Sequence, residues 1–321
     1  MISIVTCCAT PRRAQSLRRN IASTIGLPFE HVVIDNSDAR YGLCAAYNEG
    51  VRRSRGTIVV FVHDDVLFLS SGWGAVLENR FRDPGIGLVG VAGTQYLGAG
   101  TPYWVGAGSQ FCRGRILHQL DNPPRTLLTV FNWDEVEADV AVLDGVFIAV
   151  HRRVLETTLF DEQTLRGFHF YDLDFCLSAR SVWRIVVTWD ILLAHRSAGT
   201  IGEAFHREYA HFSRKWEEVL PVQCAPGTPR ITDGSDIGNY PVEEGTDPRT
   251  LTDRAREAVA CFMDTVTDLV EKGEREAAIK LYRARRPGLA PLGELLVFDA
   301  TFARLPQTPP SVQGGACCPP L

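Results

Sequence analysis

Three short stretches of the chain gather residue types that do chemistry. In VVFVHDDV an apolar run ends on His63, Asp64 and Asp65; in GFHFYDLDF the acids Asp172 and Asp174 stand two apart behind His169 and Tyr171; in ILLAHRSAG a second apolar run ends on His195. Adjacent carboxylates repel each other and lose hydration when partly enclosed, so a pair at the end of a buried strand implies a cation that holds them. Oxygen ligands suit Mg²⁺ or Mn²⁺, and an imidazole moves the preference toward Mn²⁺. The plainer readings are a solvated acidic turn for Asp64 and Asp65, N-terminal helix capping for one of the later acids, and an ordinary hydrogen-bonded histidine for His195. Because Asp172 and Asp174 are two apart at a helix start, they should point to different sides.

The elements around these stretches explain how they could meet. ISIVT, a Pro-Arg-Arg-led segment with helical apolar spacing, and HVVIDNSD read as strand, helix, strand. AAYNEGVRRSRG reads as a helix closing on Gly56, and TIVVFVHDDV as a strand apolar enough to be buried on both faces. Two strand–helix units followed by such a strand predict parallel pairing, helices on both faces, and a ligand crevice at the carboxyl ends of the strands. Thr6, Asp35, Asn36, His63, Asp64 and Asp65 all fall at or just past those ends. From about residue 87 the glycine-rich pattern predicts mixed or antiparallel sheet with loops, then a helix from Tyr171 or Asp172 and a strand near Ile185 to Trp189. The expected fold class is therefore α/β: a Rossmann-like mixed sheet flanked by helices over residues 1–223. A Pro/Gly-rich linker (224–249), a helical C-terminal extension (250–305) with Val259, Phe262, Val266 and Leu269 at helical spacing, and a Pro-rich tail (306–321) complete the chain. The extension is expected to pack on the catalytic domain or to support self-association into a homo-oligomer.

Composition narrows the partners. A net charge of −5 and the lack of a polybasic run exclude nucleic acid as the expected partner. No window of about eighteen uncharged apolar residues is present, which predicts no transmembrane segment and a cytoplasmic protein. The nine cysteines are odd in number, irregular in spacing and without a CxxC pair, as expected of reduced thiols in that compartment.

These residues resemble the inverting GT-A glycosyltransferases of family two, in particular the glycosyltransferase-like branch. ISIVT followed by VIDNSD resembles the opening nucleotide-binding strands, and YGLCAAYNEGVRRSRGTIVVFVHDDV resembles the helix and strand that lead into a DxD-type motif. LDGVFIAVHRRV is similar to the acceptor-side strand. FYDLDFCLSAR is similar to the Glu-Asp-x-Asp segment, with Tyr171 where Glu is commoner. The resemblance covers roughly residues 1 to 215. It implies a metal-dependent transferase of hexosyl type that moves a sugar from a nucleoside-diphosphate sugar, with UDP as the nucleotide, to an acceptor hydroxyl of a carbohydrate, lipid-linked glycan or glycoprotein.

Position by position, the resemblance implies nucleotide-sugar contacts for Thr6, Asp35, Asn36, Asn48, Asp64 and Asp144, metal binding by Asp65 and His195, and Asp172 as general base. His63 stands in place of the motif's first Asp and is assigned to the nucleotide sugar, with metal contact as the alternative. Trp104, Trp133, His169 and Tyr171 are acceptor-side candidates. A base of this kind should stay ionised at neutral pH while helix-end N–H groups hold it. Two rivals differ in class. A sugar nucleotidylyltransferase would need a glycine-rich phosphate loop that TCCATPRR lacks, and a degenerate carbohydrate- or protein-binding module would have no use for Asp65 and Asp172.

Overall fold

The β-branched opening run forms strand β1 (Ile2–Cys8), and Pro11 begins helix α1 (Pro11–Thr24) in the first turn, where its missing N–H costs nothing. The computed structural model from which the fold is described covers residues 1–100, 104–121, 124–131, 136–196, 201–228, 239–242, 247, 250 and 264–285. Ala14, Leu17 and Ile21 face inward from α1, and the chain returns as β2 (Phe29–Asp35), parallel to β1 from Ile2↔Phe29 to Cys8↔Asp35. Helix α2 (Leu43–Arg53) then lies close on β1: a Cβ on Gly50 would overlap the Val5 side chain. It ends at Arg53, three residues before the expected Gly56, with Ser54 as its extended cap.

Strand β3 (Ile58–Val62) is buried throughout and parallel to β1. Next come β4 (Val66–Phe68), α3 (Trp73–Arg80), β5 (Ile86–Gly90), β6 (Ala92–Thr94), β7 (Tyr96–Leu97), β8 (Cys112–Asp121) and β9 (Pro124–Phe131). They are followed by β10 (Glu137–Asp139), β11 (Val142–Leu143), β12 (Phe147–His151), α4 (Arg152–Leu155), α5 (Tyr171–Ala179), β13 (Arg184–Thr188), β14 (Leu193–His195) and α6 (Glu203–Lys215).

The central sheet has the order β10-β13-β5-β12-β3-β1-β2. It is mixed, because β12 enters antiparallel between β3 and β5. Alternation along β3 splits the core. Val59 and Phe61 join Val5, Tyr47, Phe160 and Phe175 on one face, whereas Ile58, Val60 and Val62 join Ile4, Leu17, Trp73 and Phe147 on the other. Each such side chain, fully buried, contributes about 1.5–3 kcal/mol.

A second sheet has the order β11-β6-β8-β14-β4. Antiparallel pairing sets His195 of β14 opposite Val66 of β4, beside Asp65, while on its other edge His195 pairs with His118 of β8. Helix α6 was not legible as an element from composition, although Phe205, Tyr209 and Phe212 sit at helical spacing and pack on Phe170. Of the C-terminal extension, residues 264–271 and Arg275–Arg285 are helical, and Val266 and Ala278 are buried. Val259 and Phe262 lie outside the described residues. The described cysteines Cys7, Cys8, Cys44, Cys112, Cys176 and Cys224 are free thiols. Among the described residues no helix is long and apolar enough to cross a membrane.

Candidate active site

The end of β3 is pinned where His63 N–H donates to the Val146 carbonyl at 3.3 Å, and the Arg196 N–H donates to the Asp65 carbonyl at 3.2 Å. Two strand ends are thereby held side by side. His63 Nδ1 lies 3.4 Å from His195 Nε2, which lies 3.4 Å from Asp65 Oδ1, and all three donor atoms fall within 4.8 Å of one another. Ligands at right angles around a divalent ion stand about 3 Å apart, so two imidazoles and a carboxylate in this arrangement fit one with small adjustments. Burial, and then the neighbouring His195, lower the pKa of His63, which favours the neutral ring that a metal requires. Burial pushes the Asp65 carboxyl up, but the hydrogen bond and charge of His195 outweigh it and hold the group below its usual range.

Opposite this donor set lies the loop between β11 and β12. Asp144 accepts from Val146 N–H at 2.8 Å and from Trp104 Nε1 at 3.0 Å. The next residue, Gly145, is bracketed by α5: its N–H donates to Asp172 Oδ2 at 2.8 Å, and its carbonyl accepts from the Tyr171 hydroxyl at 3.0 Å. A Cβ here would overlap the Tyr171 hydroxyl and crowd the Asp172 carboxylate, so glycine is the side chain the site admits. Phe170, just before α5, holds a left-handed conformation (φ 61°) that costs a bulky residue about 1–3 kcal/mol. Stacking on Phe212 and tilted contacts with Phe205 and Tyr209 hold it there, and with it the direction in which Tyr171 and Asp172 leave the helix.

One sequence expectation fails at this point. Asp172 is not held as a low-pKa carboxylate: burial, followed by the charge of Asp144, pushes it up to about 7. Backbone N–H groups at the helix start and Gly145 pull the other way and lose. Asp174 does point elsewhere, into the protein, where Lys215 Nζ lies at 2.7 Å and Trp216 Nε1 donates at 2.8 Å.

A cavity of about 630 Å³ unites His63, Asp64, Asp65, Asp144, Asp172 and His195 with Asn36, Trp104, His169 and Tyr171. Asn36 lines it while its side chain bonds both the N–H and the carbonyl of Tyr41. Three other candidates sit apart. Thr6 is fully buried beside His31, 3.2 Å from its Nε2; Asn48 is buried and bonded to the Phe160 backbone and to Glu162; Asp35 is exposed and accepts from Ser37 N–H. Tyr171, expected on the acceptor side, instead turns its hydroxyl inward to His63 Nε2, 2.7 Å away. His63, assigned to nucleotide sugar, sits within the metal-type donor set. Trp133 lies outside the described residues.

The cavity also holds residues that motif reasoning missed. Arg13 reaches Asp64 at 3.3 Å, and His118 reaches the site through its pairing with His195. Phe168 and Ile201 stand largely exposed on the lining. The Arg pair after Pro11 was a visible signal, since a basic residue opening the first crossover helix faces the crevice; nothing in the spacing marked His118.

Residues 3–198, more than half of the sequence, match the family described as the glycosyltransferase like family. The chain belongs to that family. This transferase is 27% identical over 183 residues to the ATP synthase subunits region ORF 6 protein of Fuscovulum blasticum, a match covering 54% of the chain and 67% of the relative. It is 25% identical over 199 residues to the uncharacterized protein y4gI of Sinorhizobium fredii (strain NBRC 101917 / NGR234), covering 56% of the chain but only 21% of that longer relative. Among solved structures, GalNAc-T7 with UDP, GalNAc and Mn²⁺ aligns with a TM-score of 0.46 at 10% identity, over 65% of the transferase and 47% of that chain.

Proposed function

We propose that the cavity binds a UDP-linked sugar and that the enzyme passes the sugar to an acceptor hydroxyl with inversion at the anomeric carbon. The observation that carries this reading is the convergence on one cavity of a metal-type donor set, His63, Asp65 and His195, and a carboxyl of raised pKa, Asp172. A divalent ion, Mn²⁺ or Mg²⁺, held by those three side chains would supply Lewis-acid neutralisation of the departing diphosphate. Asn36, Asp64 and Arg13 line the cavity and would contact the nucleoside. Asp144, fixed by Val146 N–H and Trp104, is set to accept from sugar hydroxyls.

Asp172 takes the proton of the attacking hydroxyl as that oxygen bonds the anomeric carbon and the nucleoside diphosphate leaves from the opposite face. The proton ends on the Asp172 carboxyl, and no covalent enzyme intermediate forms. The acceptor, a carbohydrate, lipid-linked glycan or glycoprotein, enters past Phe168, His169 and Ile201.

Calorimetry of UDP binding to the full chain, with Mn²⁺ and then with excess EDTA, tests the reading. UDP affinity should drop at least about tenfold on chelation, and Asp65→Ala should reproduce that drop without EDTA. Equal affinity in both conditions removes the metal; no binding of UDP, GDP or dTDP sugars in any condition overturns the donor assignment.

A further inference from the structure

The Tyr171 hydroxyl stands between the Gly145 carbonyl and His63, with the Tyr47 hydroxyl as a further partner. It lies 3.0 Å from the Gly145 carbonyl and 2.7 Å from His63 Nε2, and it is buried with the ring. A tyrosine hydroxyl has one proton, and a carbonyl can only accept. With the Tyr171 O–H donating to the Gly145 carbonyl, the hydroxyl meets His63 as an acceptor. His63 Nε2 must then carry the ring proton, which leaves Nδ1 with its lone pair. Nδ1 is the nitrogen that faces His195 Nε2 across 3.4 Å, inside the group that also contains Asp65. With the opposite tautomer, an N–H would point at the place where the ion is to sit.

From this geometry we propose that Tyr171 is a positioning residue of the metal centre: it holds His63 in the tautomer that presents Nδ1, and so makes His63 the second imidazole ligand beside His195 and Asp65. The inference rests on the metal-binding reading given above. A carboxylate ligand needs no tautomer lock, whereas an imidazole ligand is oriented by the partner of its other nitrogen. Tyr171 and Asp172 are consecutive and grip the carbonyl and the N–H of the same Gly145, so the lock on the ligand and the direction of the base meet at one residue.

Mn²⁺ alone, without nucleotide, is the probe. In titrations of the full chain followed by the electron paramagnetic resonance of free Mn²⁺, Tyr171→Phe keeps the ring but should weaken Mn²⁺ binding about 10- to 100-fold. In a His63→Gln background the same change should have no further effect, a silence that a merely structural tyrosine would not show. Independently of any Tyr171 variant, long-range ¹H–¹⁵N spectra of the metal-free wild type, with the His63 ring assigned by its loss in His63→Gln, should show a proton on Nε2. Wild-type affinity in Tyr171→Phe, or a proton on Nδ1, overturns the lock while the metal reading stands. No Mn²⁺ binding by the wild type would instead sink the metal reading itself.

Discussion

The two sides of helix α5 give a buried acid different partners. On the inner side Asp174 is 1% exposed and is met by the Lys215 ammonium and the Trp216 indole N–H, with Asp161 completing the group around the lysine. Burial pushes the Asp174 carboxyl up here as well, against the pull of Lys215 and Trp216, and it opposes the charge on Lys215, whose pKa the carboxylates of Asp161 and Asp174 nevertheless hold above the usual value. On the cavity side Asp172 has a backbone N–H for company and another acid, Asp144, for a neighbour. Its proton affinity rises to about 7. An acid that serves only the fold is neutralised where it sits; one left without a cation, at the edge of a cavity, is available to exchange a proton.

The strongest way to break this contrast is Asp172→Asn, which keeps the shape and can still accept from Gly145 N–H but cannot take a proton. Turnover of a working donor and acceptor pair should fall about 10²- to 10⁴-fold. The affinity for UDP with Mn²⁺ should stay within a few-fold of wild type, because the substitution removes an interaction of the transition state. Near-wild-type turnover would place the base elsewhere and take the inverting mechanism with it.

The same substitution two residues on should act on stability. Asp174→Asn leaves Lys215 with Asp161 alone and weakens a charged, buried hydrogen-bond group, so denaturant unfolding should show a loss of about 1–3 kcal/mol. Turnover per folded molecule should change little. A large catalytic loss at unchanged stability would mean that the two sides of α5 are not separate in function.

How much of this contrast could be read from sequence follows from what is local. The strand ends were legible because IVVFV and ILLA break into polar residues, and the opposed directions of Asp172 and Asp174 follow from helix geometry. What depended on register between distant segments was not. His63 and His195 are 132 residues apart, and only the pairing of β14 with β4 sets them together. The contact between the Tyr171 hydroxyl and His63 likewise joins residues 108 apart in sequence. The raised pKa of Asp172 comes first from burial and then from Asp144, both set by the tertiary fold and neither visible in the local helix start.

The last expected effect concerns pH, and it tests Asp172 without a substrate. The pKa of Asp172 in the native protein, about 7, lies above the ordinary value of 3.8 that it regains on unfolding. The native state therefore binds this proton more tightly. The stability it contributes is complete below about pH 4 and is lost as pH rises toward 7, with a slope of at most about 1.4 kcal/mol per pH unit. His63 has the opposite phase: its native pKa is lowered, so its contribution is lost as pH falls below the ordinary histidine range. Denaturant unfolding of metal-free wild type and Asp172→Asn between pH 4 and pH 8 should thus give a difference in stability that changes steadily across pH 4–7 and flattens above 7. In turnover the same group acts in its ionised form, so kcat/KM should fall about tenfold per unit below an apparent pKa no higher than about 7, and Asp172→Asn should remove that limb. A stability difference that is flat across pH 4–7 would mean that Asp172 is ionised throughout, like the acid of an ordinary helix start, and the contrast between the two sides of α5 would reduce to their partners alone.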